Sequence, residues 1–275
     1  MELISSWCYD GSLPESYVMP PEKRPGDLVV PSEKSIPVID LQCHDRNETI
    51  RQILKAGEEY GFFQIINHGV SKDLIDETMN VAEEFHAMPG LDKERECSKD
   101  PNGSCKLYTS SYVYPREDFH LWRDALTHPC RPLDEDIQFW PEKPTRYRQV
   151  VGAYSVELWK LSCRILEFIC QGLGLSPDYL SNDLSQIISN GKLVGAEHRV
   201  VTNSRDARTT VSFFVYPCDE SLVGPAQELV DTKNPAIYKA FKFTDFVAAF
   251  VLKRDDEAVN KLISAPRTLS YSSSN

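Results

Sequence analysis

Between Pro144 and Gly172, six large apolar residues recur at alternating spacings of three and four: Val151, Tyr154, Leu158, Leu161, Ile165 and Phe168. That period sets them on one side of a single helix, with Gly172 and Gly174 as its stop. A helix this long with a continuous apolar stripe is a core helix, because the stripe must be covered to leave water. The other elements are read as its cover.

The first ninety residues read β-α-β-α. Ser35 to Leu41 is a short strand, and Asn47 caps a helix running to about Tyr60 with Ile50, Ile53, Leu54 and Gly57 on one face. Gly61 ends that helix, and a strand dense in aromatic and branched residues follows, closed by Asn67-His68-Gly69. Ser71 opens a second helix, with Leu74, Ile75, Met79, Ala82 and Phe85 at helical spacing until Pro89 stops it. Ahead of all this, five prolines within residues 1–34 block any long helix and predict an extended arm.

Residues 90–142 read as irregular, apart from a strand at Leu107 to Tyr114. Beyond the long helix, Ser176-Pro177-Asp178 starts another helix, and Ile187 to Gly191 reads as a strand and turn. Asp231 to Tyr238 is a loop, Thr244 caps a last helix through Leu252, and residues 265–275 read as a frayed tail. The expected division is an arm over 1–34, an N-terminal region over 35–175, a second region over 176–265 and a tail over 266–275. The expected class is α+β.

Composition removes several functions. A net charge of −11 without a basic cluster argues against binding a phosphate backbone, so nucleic acid is not an expected partner. No window has the long uncharged apolar run of a membrane span. The first sixteen residues lack the basic and apolar regions of a secretory signal, and none of the eight cysteines forms a CxxC pair. These features predict a cytoplasmic chain with reduced thiols, in which Cys163 and Cys170 pack as small hydrophobes.

Chemistry concentrates in Gly195 to Pro217. His198 precedes Val200 and Val201, and Arg208 lies ten positions after the histidine, followed by Thr209 and Thr210. The β-branched and aromatic run from Thr209 to Tyr216 reads as a strand, with turn residues Asn203 to Asp206 before it. A histidine on one strand and an arginine on its hairpin partner can face one cavity, where a metal ligand would sit beside a carboxylate-gripping fork. A separate metal site is the alternative, using His120 or His128 with Asp118 or Asp124.

Four stretches carry a family likeness: Ile36 to Leu41 (IPVIDL), Gly61 to Val70 (GFFQIINHGV), Trp122-Arg123-Asp124, and His198 to Asn203 (HRVVTN) with Arg208. Through them the chain resembles the plant iron(II)- and 2-oxoglutarate-dependent dioxygenases, in particular their hyoscyamine hydroxylase-like members. The likeness runs from about residue 35 to about residue 263, with one break. It implies a double-stranded β-helix (jelly-roll) barrel after the N-terminal region, and Fe(II) held by two histidines and a carboxylate. It also implies 2-oxoglutarate as cosubstrate, and hydroxylation or desaturation of a small specialised metabolite. On this likeness His198 is the second histidine ligand, Arg208 the partner of the cosubstrate carboxylate, and Thr210 the hydroxyl beside it, where the family usually has serine. His68 matches a structural position.

The likeness also exposes a gap. None of the six histidines is followed two places later by Asp or Glu, so the family's histidine-x-aspartate pair is missing. In a complete member, several barrel strands separate a segment like Asp183 to Gln186 from one like Ile187 to Gly191, which here adjoin. An internal deletion is therefore expected, leaving an incomplete barrel, one of three iron ligands and an inactive chain. The alternative is a truncated isoform without catalysis that acts as a binding or interaction protein.

Overall fold

The computed structural model describes residues 3–6, 13–24, 35–97, 103–177, 179, 186–196, 198, 200–203, 205–253 and 256–264. In chain order its elements are β1 (Val38–Asp40), α1 (Arg46–Glu59), β2 (Gln64–Ile66), α2 (Lys72–Ala87), α3 (Gly90–Cys97), β3 (Lys106–Thr109) and β4 (Asp124–Thr127). There follow α4 (Leu133–Asp136), α5 (Tyr147–Leu173), β5 (Leu222–Val223), β6 (Phe241–Lys242), α6 (Phe243–Val247) and α7 (Asp256–Ile263). Helices and strands are thus mixed, and the strands form three two-stranded sheets with no closed barrel among the described residues. No helix in them is long and apolar enough to cross a membrane.

The described residues divide into two compact units. One takes residues from 1–34, 69–160 and 199–213, the other from 35–68, 161–198 and 214–275.

In the first unit, β3 and β4 pair antiparallel with Leu107 opposite Leu126. Both leucines face a core of Val81 and Phe85 from α2, Cys97, Cys105, Trp140, and Tyr147 and Val151 from α5. Val81 and Phe85 are four apart, so one helical face delivers both. Trp140 is fully buried, and its indole N–H donates to the Pro129 carbonyl at 2.9 Å, so no buried donor is orphaned there.

The N-terminal segment is tied to this unit through Asp124. Its carboxylate accepts from the Ile4 and Ser5 amides at 3.0 and 2.8 Å, and from the Ser5 and Thr109 hydroxyls at 2.5 and 2.6 Å. The fully buried Lys93 donates to Ser5 Oγ at 2.5 Å and to the His86 carbonyl at 2.8 Å. Farther along, Tyr17 packs on His120 and Trp122, each with ring centroids 5.2 Å away.

In the second unit, β1 and β2 pair in parallel with Ile39 opposite Ile65, and α1 is the crossover between them. Ile39, Leu41, Ile53, Ala56 and Phe168 form one core cluster. Cys170, Leu173, Leu175, Ile188, Ala226 and Leu229 form another. Gly172 is inside α5 and does not end it. A side chain there would meet Leu54 at 2.6 Å and Ile50 at 3.0 Å, so its absence lets α1 lie close against this part of α5.

Several expectations are corrected. Asp45, not Asn47, caps α1, its carboxylate accepting from the Asn47 and Glu48 amides. The stretch 90–142 holds α3, β4 and α4, and β3 ends at Thr109 because Ser110 turns the chain with φ 63°. Residues 186–189 are a 3-10 turn, not a strand. Lys242, not Thr244, precedes the first residue of α6, which runs on into a π-helical turn over Ala248–Lys253. Cys170 is buried as expected, but Cys163 is exposed. The helix expected from Ser176 falls largely, and the tail 266–275 wholly, outside the described residues.

Asp124 yields a stability prediction. Burial pushes its carboxyl up, but hydrogen bonds from Ser5, Thr109 and Ile4 outweigh that and hold it below its ordinary range. A depressed carboxyl stabilises the fold above its unfolded pKa, about 3.9, and that contribution disappears as pH falls through the folded value. Asp124→Ala should cost about 1–2 kcal/mol in urea unfolding at pH 7, because the buried Thr109 hydroxyl and three more exposed donors lose a charged acceptor. It should also flatten the acid limb of stability below about pH 4. An unchanged midpoint at pH 7 would refute the anchoring role.

Candidate functional site

The described residues around His198 and Arg208 show no paired strands where a hairpin is expected. Among the described residues between 200 and 221 there is no strand; Glu197, Arg199 and Ser204 lie outside that set. The side chains from Val211 to Pro217 still alternate between half-buried or buried and exposed, as a strand's would. Phe214 is 66% exposed and Tyr216 64% exposed, their rings stacked 5.7 Å apart.

His198 falls in the second unit and Arg208 and Thr210 in the first, and all three are exposed. His198 Nδ1 lies 2.9 Å from the Ala196 carbonyl, which can only accept, so Nδ1 carries the proton. Its Nε2 lone pair then makes His198 a one-point metal ligand.

The segment leading to His198 is held by the Gly61 to Val70 block and the helix before it. The Val194 amide donates to the Gly57 carbonyl at 2.9 Å. Gly61 has φ 74°, and a Cβ there would meet the Val194 oxygen at 2.6 Å and the Ala196 nitrogen at 2.8 Å. Only glycine meets both demands. Asp40 accepts from the Gln42 amide and from the Asn67 side chain, which ties the ends of β1 and β2.

Thr210 lines a cavity of about 130 Å³ in the first unit. Thr78 and His86 of α2, Thr127 and His128 after it, and Tyr147, Tyr154 and Ser155 of α5 form other walls. His128 lies 2.9 Å from the Tyr147 hydroxyl through Nε2 and stacks on Trp140 at 4.1 Å. Burial lowers its pKa to about 4, so it is neutral at pH 7. Burial, with Lys93 nearby, lowers His86 as well. Among the described residues no lysine or arginine lines the cavity, so these walls suit a small neutral ligand better than a dicarboxylate. The sequence offered no sign of this place, because His128 and Tyr147 meet only when β4 and α5 share a core.

The alternative metal site is also corrected. His120 Nδ1 lies 3.0 Å from Glu117, under a Tyr114 ring stacked at 3.8 Å, and Glu117 accepts from the Ser110 and Ser111 hydroxyls. Asp124 is committed to the N-terminal segment and His128 to the cavity. No three His, Cys, Asp or Glu side chains among the described residues converge to hold a metal. One exposed imidazole does not fit a resident iron(II), which takes three protein ligands on one face.

Comparison with known proteins gives a coherent picture. Residues 36–144 match the family model described as the non-haem dioxygenase in morphine synthesis N-terminal. Hyoscyamine 6-dioxygenase of Hyoscyamus niger is 31% identical over 331 aligned positions, which cover 92% of this chain and 95% of that protein. The 2'-deoxymugineic-acid 2'-dioxygenase of Hordeum vulgare is 29% identical, over 90% of this chain and 93% of its own. Among solved structures, JOX2 in complex with 2OG, Fe and JA superposes with a TM-score of 0.80 at 25% identity, covering 96% of this chain and 98% of that one.

Two outcomes follow from the geometry. His128 is neutral in the fold, so it stabilises fully above its unfolded pKa of about 6.5, and the contribution drains away down to about pH 4. That loss is on the order of 3 kcal/mol, and His128→Gln should reduce the slope of urea midpoints measured across this window, the lowered His86 keeping the remainder. Gly61→Val should lower the thermal midpoint and speed hydrogen exchange at the Val194 amide. Exchange as slow as in the parent chain would mean that Gly61 does not seat the segment.

Proposed function

Because the chain belongs to the 2-oxoglutarate- and iron(II)-dependent dioxygenases, we propose that it is a member that has lost its iron centre and does not turn over. The observation that carries this reading is His198, an exposed lone imidazole with its Nδ1 occupied and no histidine-x-aspartate pair in the chain. The hyoscyamine 6-dioxygenase alignment supports an internal gap. It spans 331 positions against 275 residues here, so at least 56 positions of that protein have no counterpart.

An incomplete jelly-roll barrel accounts for the behaviour of residues 209–217. They keep the alternation of a strand yet join no sheet, which is what remains when a strand's neighbours are removed. Arg208 and Thr210 retain the chemistry to hold a carboxylate, a cation and a hydroxyl two residues apart. Without a metal beside them, 2-oxoglutarate would be held by that pair alone, and weakly. In an intact family member the same positions would serve oxidation of a small metabolite.

A second reading is a non-catalytic binding protein. The exposed Val200, Val201, Phe214 and Tyr216 favour it, since exposed apolar side chains invite association.

Thermal melting with and without Mn(II) plus 2-oxoglutarate tests the main reading, manganese standing in for iron without oxygen chemistry. A working site with ligand at a hundredfold excess over its Kd would add roughly 2.7 kcal/mol and raise the midpoint. The expected outcome is a cooperative transition that does not move, together with no succinate formed under iron(II), 2-oxoglutarate and oxygen. An upward shift or succinate production would sink the proposal.

A further inference from the structure

Two of the seven described cysteines stand apart in their placement. Cys97 is the last residue of α3, and Cys105 directly precedes β3. Both point into the core of the first unit, 9% and 4% exposed, and their thiols hydrogen-bond to each other. We propose that Cys97 and Cys105 form a dithiol that closes to an intrachain disulfide under a thiol-disulfide oxidant such as oxidised glutathione.

The geometry favours this pair over any other. Two thiols already in contact inside one core need only a local approach to reach the S–S distance of about 2.05 Å. Both residues are anchored by the core around Tyr147 and Trp140, so the two side chains face each other in the reduced fold. The third sulfur near this core, Cys130, is turned elsewhere, 3.8 Å from the His128 carbonyl and 3.9 Å from His128 Nδ1. Cys43, Cys163 and Cys218 are exposed.

The exchange is balanced. A Cys97 or Cys105 thiol loses its proton and attacks one sulfur of glutathione disulfide, breaking that bond and releasing one glutathione thiolate. The other protein thiolate then displaces the second glutathione, forming the Cys97–Cys105 bond. The protein gives up two electrons and two protons, and two glutathione thiols gain them. Burial and the partner thiol hold Cys97 in its protonated form, well above the ordinary thiol range, so closure is slow. The pair therefore answers sustained oxidation and not a brief pulse. Once closed, it ties the end of α3 covalently to the start of β3.

The test uses the full chain, equilibrated over a series of reduced-to-oxidised glutathione ratios, then unfolded in alkylating agent, digested and mapped by mass spectrometry. The expected result is a peptide pair joined through Cys97 and Cys105, about 2 Da lighter than its reduced components and released by dithiothreitol. Cys43, Cys163 and Cys218 should carry glutathione adducts in the same samples. Alkylation of both core thiols at every ratio would overturn the proposal, and so would a bond from either one to Cys130, or glutathione adducts on them at every oxidising ratio with no Cys97–Cys105 bond. The parent chain decides the matter even if Cys97→Ser fails to fold. The result is independent of whether iron binds.

Discussion

The need to cover α5 shapes the core of each compact unit. Its 27 residues carry apolar side chains too numerous to leave in water, and each compact unit takes its share. Tyr147 and Val151 belong to the core of the first unit, Phe168, Cys170 and Leu173 to the cores of the second. The remaining elements reflect what that stripe requires. The first unit meets it with a helix face carrying Val81 and Phe85 and with the β3–β4 pair. The second meets it with α1, packed close through Gly172, and with the parallel pair β1–β2.

Polar groups in the first unit are handled by pairing. Asp124 gathers four donors, and Glu117 takes two hydroxyls and His120. His128 is left neutral against Tyr147. Each is a group that burial would penalise if left charged and alone. Two of the three, Asp124 and Glu117, solve that problem with local or N-terminal hydroxyls and amides, which makes them structural anchors. His128 solves it by losing its charge, so it adds no positive charge to the cavity beside it.

The hairpin expected at the candidate site turns on backbone chemistry. A strand needs neighbours for its N–H and C=O groups, and alternation of side chains does not supply them. The run from Thr209 to Tyr216 has the branched and aromatic residues of a strand, but in the fold it joins no sheet. At the intended turn, the Asn203 side chain accepts from the Arg205 amide at 2.8 Å, a local bond that satisfies the turn without closing a ladder. Alternation of side chains over 209–216 therefore does not by itself make a hairpin.

What the sequence determined by itself was whatever depends on local period and on motif. The α5 stripe, the β-α-β start, the boundaries of α2 and the family likeness were all legible. So was the missing histidine-x-aspartate pair, since no fold can supply a ligand absent from the chain. Only the tertiary structure decided what depends on residues distant in sequence meeting. Asp124 and Ser5 are 119 positions apart, and neither carries a local signal for the other. The same holds for His128 with Tyr147 and for Gly61 with Ala196. That no strand is assigned over 209–217 was likewise invisible, because propensity describes what a segment can form and only the packed chain shows which form it takes.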